Sequence, residues 1–237
     1  MTISQNVALI RERIEIAAQR AGRSPQDITL MAVSKMFPSE SIRECFEAGL
    51  RVFGESKVQE FSGKAETLRE LVNAEWHMIG HLQTNKAGKA VELFSAVDSL
   101  DSLRLAEKLN SAAKQLGKKL AVLIEINVGG EAAKSGIGPN SPELEQILQA
   151  APQFDHLKFQ GLMTVPPFTE NSEDARLYFR RLRELRDQIA ARHFPSINMH
   201  VLSMGMSHDF EVAIEEGSTC VRVGTAIFGD RNKSQMN

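Results

Sequence analysis

A lysine placed directly after an apolar strand is the first candidate for chemistry. Residues 28–34 form an apolar, β-branched run, Lys35 follows it, and Pro38 comes three residues later. Such a run is typical of a strand buried on both faces of a parallel sheet, and Pro38 suits the start of a helix. Lys35 is therefore predicted at the carboxyl-terminal edge of the sheet. An amine in apolar surroundings there can attack a carbonyl carbon; the alternative is a lysine that simply extends into water.

Two loops near the end of the chain could bind an anion. Ser203 ends one predicted strand and Gly205 follows it, and Gly224 ends the next and Thr225 follows it. In barrel enzymes the loops after the seventh and eighth strands often bind phosphate. Hydroxyl groups and unobstructed backbone N–H groups would serve a phosphate dianion, whereas ordinary turns are the alternative explanation of the same residues.

An arginine lies inside the apolar strand predicted at 220–224. A buried guanidinium such as that of Arg222 needs a partner, which is either a ligand at the sheet edge or a buried carboxylate such as Glu125. An amine, a phosphate-binding loop pair and an inward arginine together describe a pyridoxal phosphate (PLP) site. In such a site Lys35 forms an imine with the aldehyde, and Arg222 faces the ring nitrogen.

Eight predicted strands alternate with helices and must bring these residues together. The strands are predicted near residues 28–34, 51–54, 75–80, 95–100, 120–128, 157–163, 200–203 and 220–224. A helix over 4–21 precedes them. The alternation predicts an α/β fold, a (β/α)₈ TIM-type barrel with an extra N-terminal helix, as one domain over 1–237 with a polar tail at 230–237. A doubly wound open sheet is the competitor, but no Gly-x-Gly-x-x-Gly follows the first strand.

Composition narrows the class of protein. The 237 residues carry a formal net charge of −2, which gives no general basic field for nucleic acid. Cys45 and Cys220 are the only cysteines and indicate a reducing compartment. No signal peptide and no bilayer-spanning run is apparent, so we expect a cytoplasmic protein without membrane contact. The arginines on the predicted helix 171–192 indicate a solvated face, which leaves a weak acidic or RNA partner open.

The chain resembles the pyridoxal phosphate homeostasis proteins, small PLP-binding proteins related to the N-terminal barrel of alanine racemase. Eight segments carry the resemblance: 32–35, 53–55, 58–60, 76–83, 134–136, 161–163, 202–207 and 221–229. The resemblance implies that Lys35 is the imine lysine and that Arg222 faces the pyridine nitrogen. It also implies that Ser203, Gly224 and Thr225 hold the phosphate. The chain departs from the family at Ser56-Lys57, where Asn-Tyr is common, and at 36–37, where Thr-Lys is common.

The resemblance favours a carrier over an enzyme. An arginine at the pyridine nitrogen disfavours its protonation, so the ring is a poorer electron sink. Racemisation also needs acid–base groups on both faces of the substrate carbon. In alanine racemase the second base is a tyrosine from an added domain, whereas the only tyrosine here, Tyr178, falls mid-helix. We therefore expect a monomer that holds pyridoxal 5'-phosphate as an internal aldimine and delivers it to PLP-requiring apo-enzymes, without robust turnover. A weak single-domain racemase and a non-catalytic interaction module are the alternatives.

Three further motifs have less support as functional sites. Lys134 follows the fifth strand and is either an accessory PLP-binding lysine or a solubilising one. A nucleotide-binding P-loop needs a glycine directly before its lysine, and Ala133 occupies that position in the same loop. We therefore reject nucleotide binding there. His77 and His81 flank a strand end without an obvious third ligand, so we expect no metal and place His77 near the mouth of the barrel.

Overall fold

Eight parallel strands close into a barrel in the computed structural model, which describes residues 1–131 and 135–229. The strands run in chain order around the barrel, and β1 pairs with both β2 and β8. They are β1 (Thr29–Val33), β2 (Val52–Glu55), β3 (Glu75–Met78), β4 (Ala96–Leu100), β5 (Leu120–Glu125), β6 (Leu157–Met163), β7 (Ile197–Ser203) and β8 (Cys220–Val223). The predicted barrel is confirmed, and the open sheet is excluded because the first and last strands pair.

Helices surround the barrel. They are α1 (Ile3–Arg20), α2 (Ser39–Glu47), α3 (Val58–Lys64), α4 (Ala87–Leu93), α5 (Leu103–Gln115), α6 (Pro142–Ala150), α7 (Arg176–Ala191), α8 (Phe210–Glu215) and α9 (Thr225–Phe228). The extra helix α1 packs against α2, α8 and α9. Thr2 caps it, in a reciprocal pair with Gln5. In the described part of the chain, no helix has the length and apolar content needed to cross a bilayer. Lys134 and the polar tail 230–237 lie outside the described residues.

Side-chain alternation divides each strand between the barrel interior and the surrounding helices. The interior set at the amino-terminal end lines a cavity of about 440 Å³ and includes Thr29, His77, Leu123 and Cys220. Residues two positions further along a strand face the same interior, nearer the carboxyl-terminal mouth. Because paired residues of neighbouring parallel strands share a face, Met31 and Arg222 both point inwards.

The arginines of α7 are only partly a solvated face. Arg176, Arg180 and Arg183 form ion pairs with the buried Glu216 at 3.3, 3.1 and 2.8 Å. Arg180 is 49% exposed, as a solvated face requires, whereas Arg176 at 27% is partly covered because the helix packs against the end of α8. Tyr178 lies in the first turn of α7, rather than mid-helix, since residues 172–175 form a 3₁₀ turn.

Candidate functional site at the mouth of the barrel

Lys35 lies in a tight turn just beyond β1. The Ser34 N–H donates to the carbonyl of Gly54 at 3.0 Å, and the Phe37 N–H donates to the carbonyl of Ser34 at 3.2 Å. Lys35 and Met36 are the two central residues of this turn, and Met36 has φ of 67°. Lys35 is half-buried, and it continues the alternation of Met31 and Val33, which face the interior. The predicted position at the carboxyl-terminal edge of the sheet is where this residue lies.

Arg222 is 3% exposed and donates to two neutral oxygen atoms. Its Nη1 atom donates to the Ser203 hydroxyl at 2.7 Å, and its Nη2 atom donates to the carbonyl of Thr164 at 2.7 Å. Burial lowers the pKa of this guanidinium, against the opposing effect of neighbouring acidic groups. None of the described carboxylates lies within ion-pair distance, so the alternative of a direct Arg222–Glu125 pair is not formed.

Glu125 ends β5 and is 6% exposed inside the barrel. Among the described residues, its Oε2 atom is buried and has no hydrogen-bond partner. Burial and the nearby Asp101 raise the pKa of Glu125 to about 7, although Arg222 and His81 lower it. A buried polar atom without a partner costs folding free energy. Glu125 is therefore a buried carboxyl group at the mouth that can hold or release a proton near neutral pH.

The loops after β7 and β8 bring two backbone donors to one oxygen atom. The N–H groups of Gly224 and Ala226 point at the Ser207 hydroxyl oxygen, at 3.3 and 3.4 Å. Thr225 is exposed between them. The Ser203 hydroxyl accepts from Arg222, and its contact with phosphate stays a prediction. Ser207 lies in the hydroxyl-rich loop after β7, but the sequence prediction did not assign it to the phosphate site.

Gly205 has a packing role in the same loop. Its φ is +94°, and an added Cβ would come within 2.6 Å of the Ala213 side chain and 2.9 Å of the Phe210 Cα atom. Only glycine lets the loop approach α8 this closely. The neighbouring Asp209 carboxylate accepts from the Met206 N–H at 2.6 Å and so fixes the loop further. Gly205 therefore shapes the loop through its backbone.

The two histidines of the 77–81 segment lie at different ends of the barrel. His81 contacts Asp101 at 2.8 Å on the side of Glu125. His77 lines the amino-terminal cavity, and its Nδ1 atom donates to Asp98 at 3.1 Å. The prediction that His77 lies near the mouth is therefore wrong. Burial alone would lower the pKa of His77, but Asp98 and Glu75 outweigh it and raise the pKa to about 9.

Comparison with known proteins identifies the family. The chain matches the alanine racemase N-terminal domain over residues 5–232. A pyridoxal phosphate homeostasis protein of Aquifex aeolicus is 45% identical over 231 residues, which cover 98% of this chain and 99% of the relative. The chain belongs to the pyridoxal phosphate homeostasis proteins. A relative of the same name from Escherichia coli is 42% identical over 235 residues, covering 98% of each chain. The family resemblance predicted from the sequence is thereby confirmed.

Solved structures confirm the barrel type. PipY of Synechococcus elongatus, whose structure has PLP bound, superposes with a TM-score of 0.83 at 34% identity. The alignment covers 96% of this chain and all of PipY. An alanine racemase of Clostridium difficile gives a TM-score of 0.67 at 15% identity over 94% of this chain and 56% of its own. That second likeness shows a shared fold, as the predicted alanine racemase-like barrel requires.

Proposed function

We propose that this protein binds pyridoxal 5'-phosphate at the mouth of the barrel and serves in its intracellular homeostasis, by buffering the cofactor and delivering it to enzymes. When bound, the cofactor would supply an electrophilic aldehyde carbon, and the Lys35 amine would hold it through a reversible C=N bond whose formation releases the carbonyl oxygen as water. Relatives named for PLP homeostasis and the PLP-bound PipY support the proposal. The observation that carries it is that Lys35, in the turn just beyond β1, and Arg222, inside the paired strand β8, lie towards the same mouth of the barrel.

The residues at the mouth fit such a group chemically. Two backbone N–H groups converge on the Ser207 hydroxyl oxygen. A phosphate oxygen could accept hydrogen bonds from the same two N–H groups. Arg222 keeps a buried positive charge, and no carboxylate of residues 1–131 or 135–229 forms an ion pair with it. We assign cofactor binding to Lys35, Arg222 and the loops that contain Ser203, Gly205, Gly224 and Thr225. In this assignment the chain is a single cytoplasmic PLP-binding domain, monomeric, with PLP-requiring apo-enzymes as its partners.

We further propose that the protein lacks robust turnover. An arginine facing the pyridine nitrogen opposes protonation of the ring, which carbanion chemistry needs. Tyr178 lies on the outer helix α7 and is therefore poorly placed as a second base. One observation favours the alternative of a weak amino-acid racemase. Glu125, buried at the mouth with a pKa of about 7, could accept and return a proton near neutral pH.

The visible absorption spectrum of the purified protein mixed with PLP tests the proposal. We expect the wild type to show the band of a lysine C=N bond and Lys35→Ala to lack it. Lys57→Ala, which removes an exposed lysine at the start of α3, is the matched control and should keep the band. Borohydride reduction followed by mass spectrometry should place the label on Lys35. An unchanged spectrum in Lys35→Ala would reject this lysine, and an assay of alanine racemisation separates the carrier from the racemase.

A further inference from the structure

The turn that holds Lys35 adopts a conformation that its own sequence does not favour. Residues 34–37 form a turn closed by the bond from the Phe37 N–H to the Ser34 carbonyl. Met36 is the third residue of this turn, with φ of 67°, and the residue is 67% exposed. A turn with positive φ at that position normally carries glycine or asparagine, because a Cβ atom is crowded there. Contacts from outside the turn must therefore hold Met36 in place.

A lysine from α3 binds both ends of the turn. The Lys64 Nζ atom donates to the carbonyl of Ser34 at 3.4 Å and to the carbonyl of Phe37 at 3.3 Å. The same nitrogen contacts the carboxylates of Glu55 and Glu60, each at 3.0 Å. Its side chain is 14% exposed, so water screens these interactions only weakly. Lys64 therefore connects the carbonyl groups on either side of Lys35 to β2 and α3.

Two carboxylates complete the contacts around the turn. Glu60 accepts from the Met36 N–H at 2.5 Å, directly at the residue with positive φ. Glu55 is fully buried behind the turn, on the helix side of β2, and accepts from the Ser34 hydroxyl at 2.8 Å. Burial raises the pKa of Glu55, although Lys64 and the bond from Ser34 act to lower it. Burial also acts to raise the pKa of Glu60, but the bonds from Met36 and Lys64 outweigh it and lower that pKa.

We infer that Lys64 and Glu60 are positioning residues, which hold the Lys35 turn in the one conformation that aims the amine at its ligand. The inference rests on the proposed function for its ligand, a PLP aldehyde. Neither residue is assigned a contact with the ligand; each acts through backbone groups of residues 34, 36 and 37. When only a fraction of the molecules has the competent turn, the apparent affinity falls by that fraction.

Titration of the apo-protein with PLP, followed by the visible band of the C=N bond, tests this role. We expect Glu60→Ala to weaken the apparent affinity roughly tenfold, because the Met36 N–H loses its acceptor and the turn opens. Glu60→Gln keeps an acceptor oxygen for that N–H, so its apparent affinity should lie between those of the wild type and Glu60→Ala. Lys64→Met should weaken binding at least as much as Glu60→Ala. Lys89→Met and Glu92→Ala break an exposed ion pair on α4 and are the matched controls.

Rescue by glycine separates positioning from a general structural role. Glycine adopts positive φ without crowding, so Met36→Gly in the Glu60→Ala background should recover most of the lost affinity. Met36→Gly alone is the reference for that double variant. A merely destabilised protein would gain no affinity from a glycine. Unchanged affinity in Glu60→Ala, or a double variant no better than Glu60→Ala, would overturn the inference.

A measurement without PLP tests whether Lys64 and Glu60 hold the turn, independently of whether the protein binds PLP. Amide hydrogen exchange at Met36 and Phe37 should accelerate in Glu60→Ala and Lys64→Met, and return towards the wild-type rate at Phe37 when Met36→Gly is added to Glu60→Ala. If the wild type forms no C=N bond with PLP, the proposed function fails, while exchange still decides whether these residues hold the turn. Unchanged exchange at both amides would reject the positioning role even if PLP binds at Lys35.

Discussion

The two ends of the barrel differ in how their buried charges are satisfied. At the amino-terminal end, the protonated His77 faces the Asp98 carboxylate, whose two oxygens lie 3.2 and 3.1 Å from its Nδ1 atom. At the mouth, Arg222 meets only neutral oxygens, and one oxygen of Glu125 has no partner among the described residues. Buried polar groups without partners are rare because they cost free energy. We therefore expect the amino-terminal end to contribute mainly to the stability of the fold and the mouth to be the end that binds a ligand.

The largest effect is expected from removing the charge of Asp98. Asp98→Asn leaves the buried His77 without its counter-charge, and we expect a loss of about 2–4 kcal/mol in the free energy of unfolding at pH 6. Because the folded pKa of His77 is raised from 6.5 to about 9, the stabilisation is complete below pH 6.5. It disappears as the pH rises through 9. Urea denaturation at pH 6, 7.5 and 9.5 measures both the loss and its decline.

Glu75 provides the control for this prediction. Its carboxylate is 3.9 Å from His77 and 63% exposed, so Glu75→Gln should change stability by less than about 1 kcal/mol. A loss in Asp98→Asn that is the same at all three pH values would show that the His77–Asp98 ion pair is not its source.

A smaller effect, of opposite sign, is expected at the mouth. The pKa of Glu125 is raised from 4.5 to about 7, so its favourable contribution is present below pH 4.5 and is lost as the pH rises through 7. Glu125→Gln should therefore stabilise the unliganded protein by on the order of 1–3 kcal/mol at pH 8 and leave it unchanged at pH 4.5. Thermal unfolding at the two pH values measures this, with the exposed Glu107→Gln as control. Destabilisation at pH 8 would mean that Glu125 is satisfied in the free protein.

The smallest effect is expected in the loop after β7. Ser207→Ala removes two long hydrogen bonds of 3.3 and 3.4 Å, and should change the free energy of unfolding by only about 0.5 kcal/mol. Ser203→Ala, at the last residue of β7, is the comparison. It leaves the buried Nη1 atom of Arg222 without its 2.7 Å partner and should cost about 1–3 kcal/mol. Equal losses in the two variants would contradict the view that Ser203 supports the arginine while Ser207 belongs to the open loop that is predicted to bind an anion.

Most of the fold could be predicted from the sequence, because local features specify it. Apolar β-branched runs, capping residues and glycine stops recur with a strand–helix period along the chain. All eight strands lie where the pattern predicts them, within a few residues. The position of Lys35 after β1 and of Arg222 inside β8 follows from the same local pattern. The site assignments made from those positions remain predictions.

Contacts between distant segments decided the rest. Alternation along a strand predicts whether a side chain points into the barrel or towards the helices. The end of the barrel at which it lies depends on the stagger between strands. This stagger places His77 at the amino-terminal end and not at the mouth. Two further contacts also join segments that are distant in the sequence. Glu216 forms ion pairs with three arginines of α7, and Lys64 donates to carbonyl groups of the Lys35 turn. The sequence by itself determined the order of strands and helices and the residues at their ends. Only the tertiary structure decided which charges meet, because the energy of a buried charge depends on neighbours that are far apart in the chain.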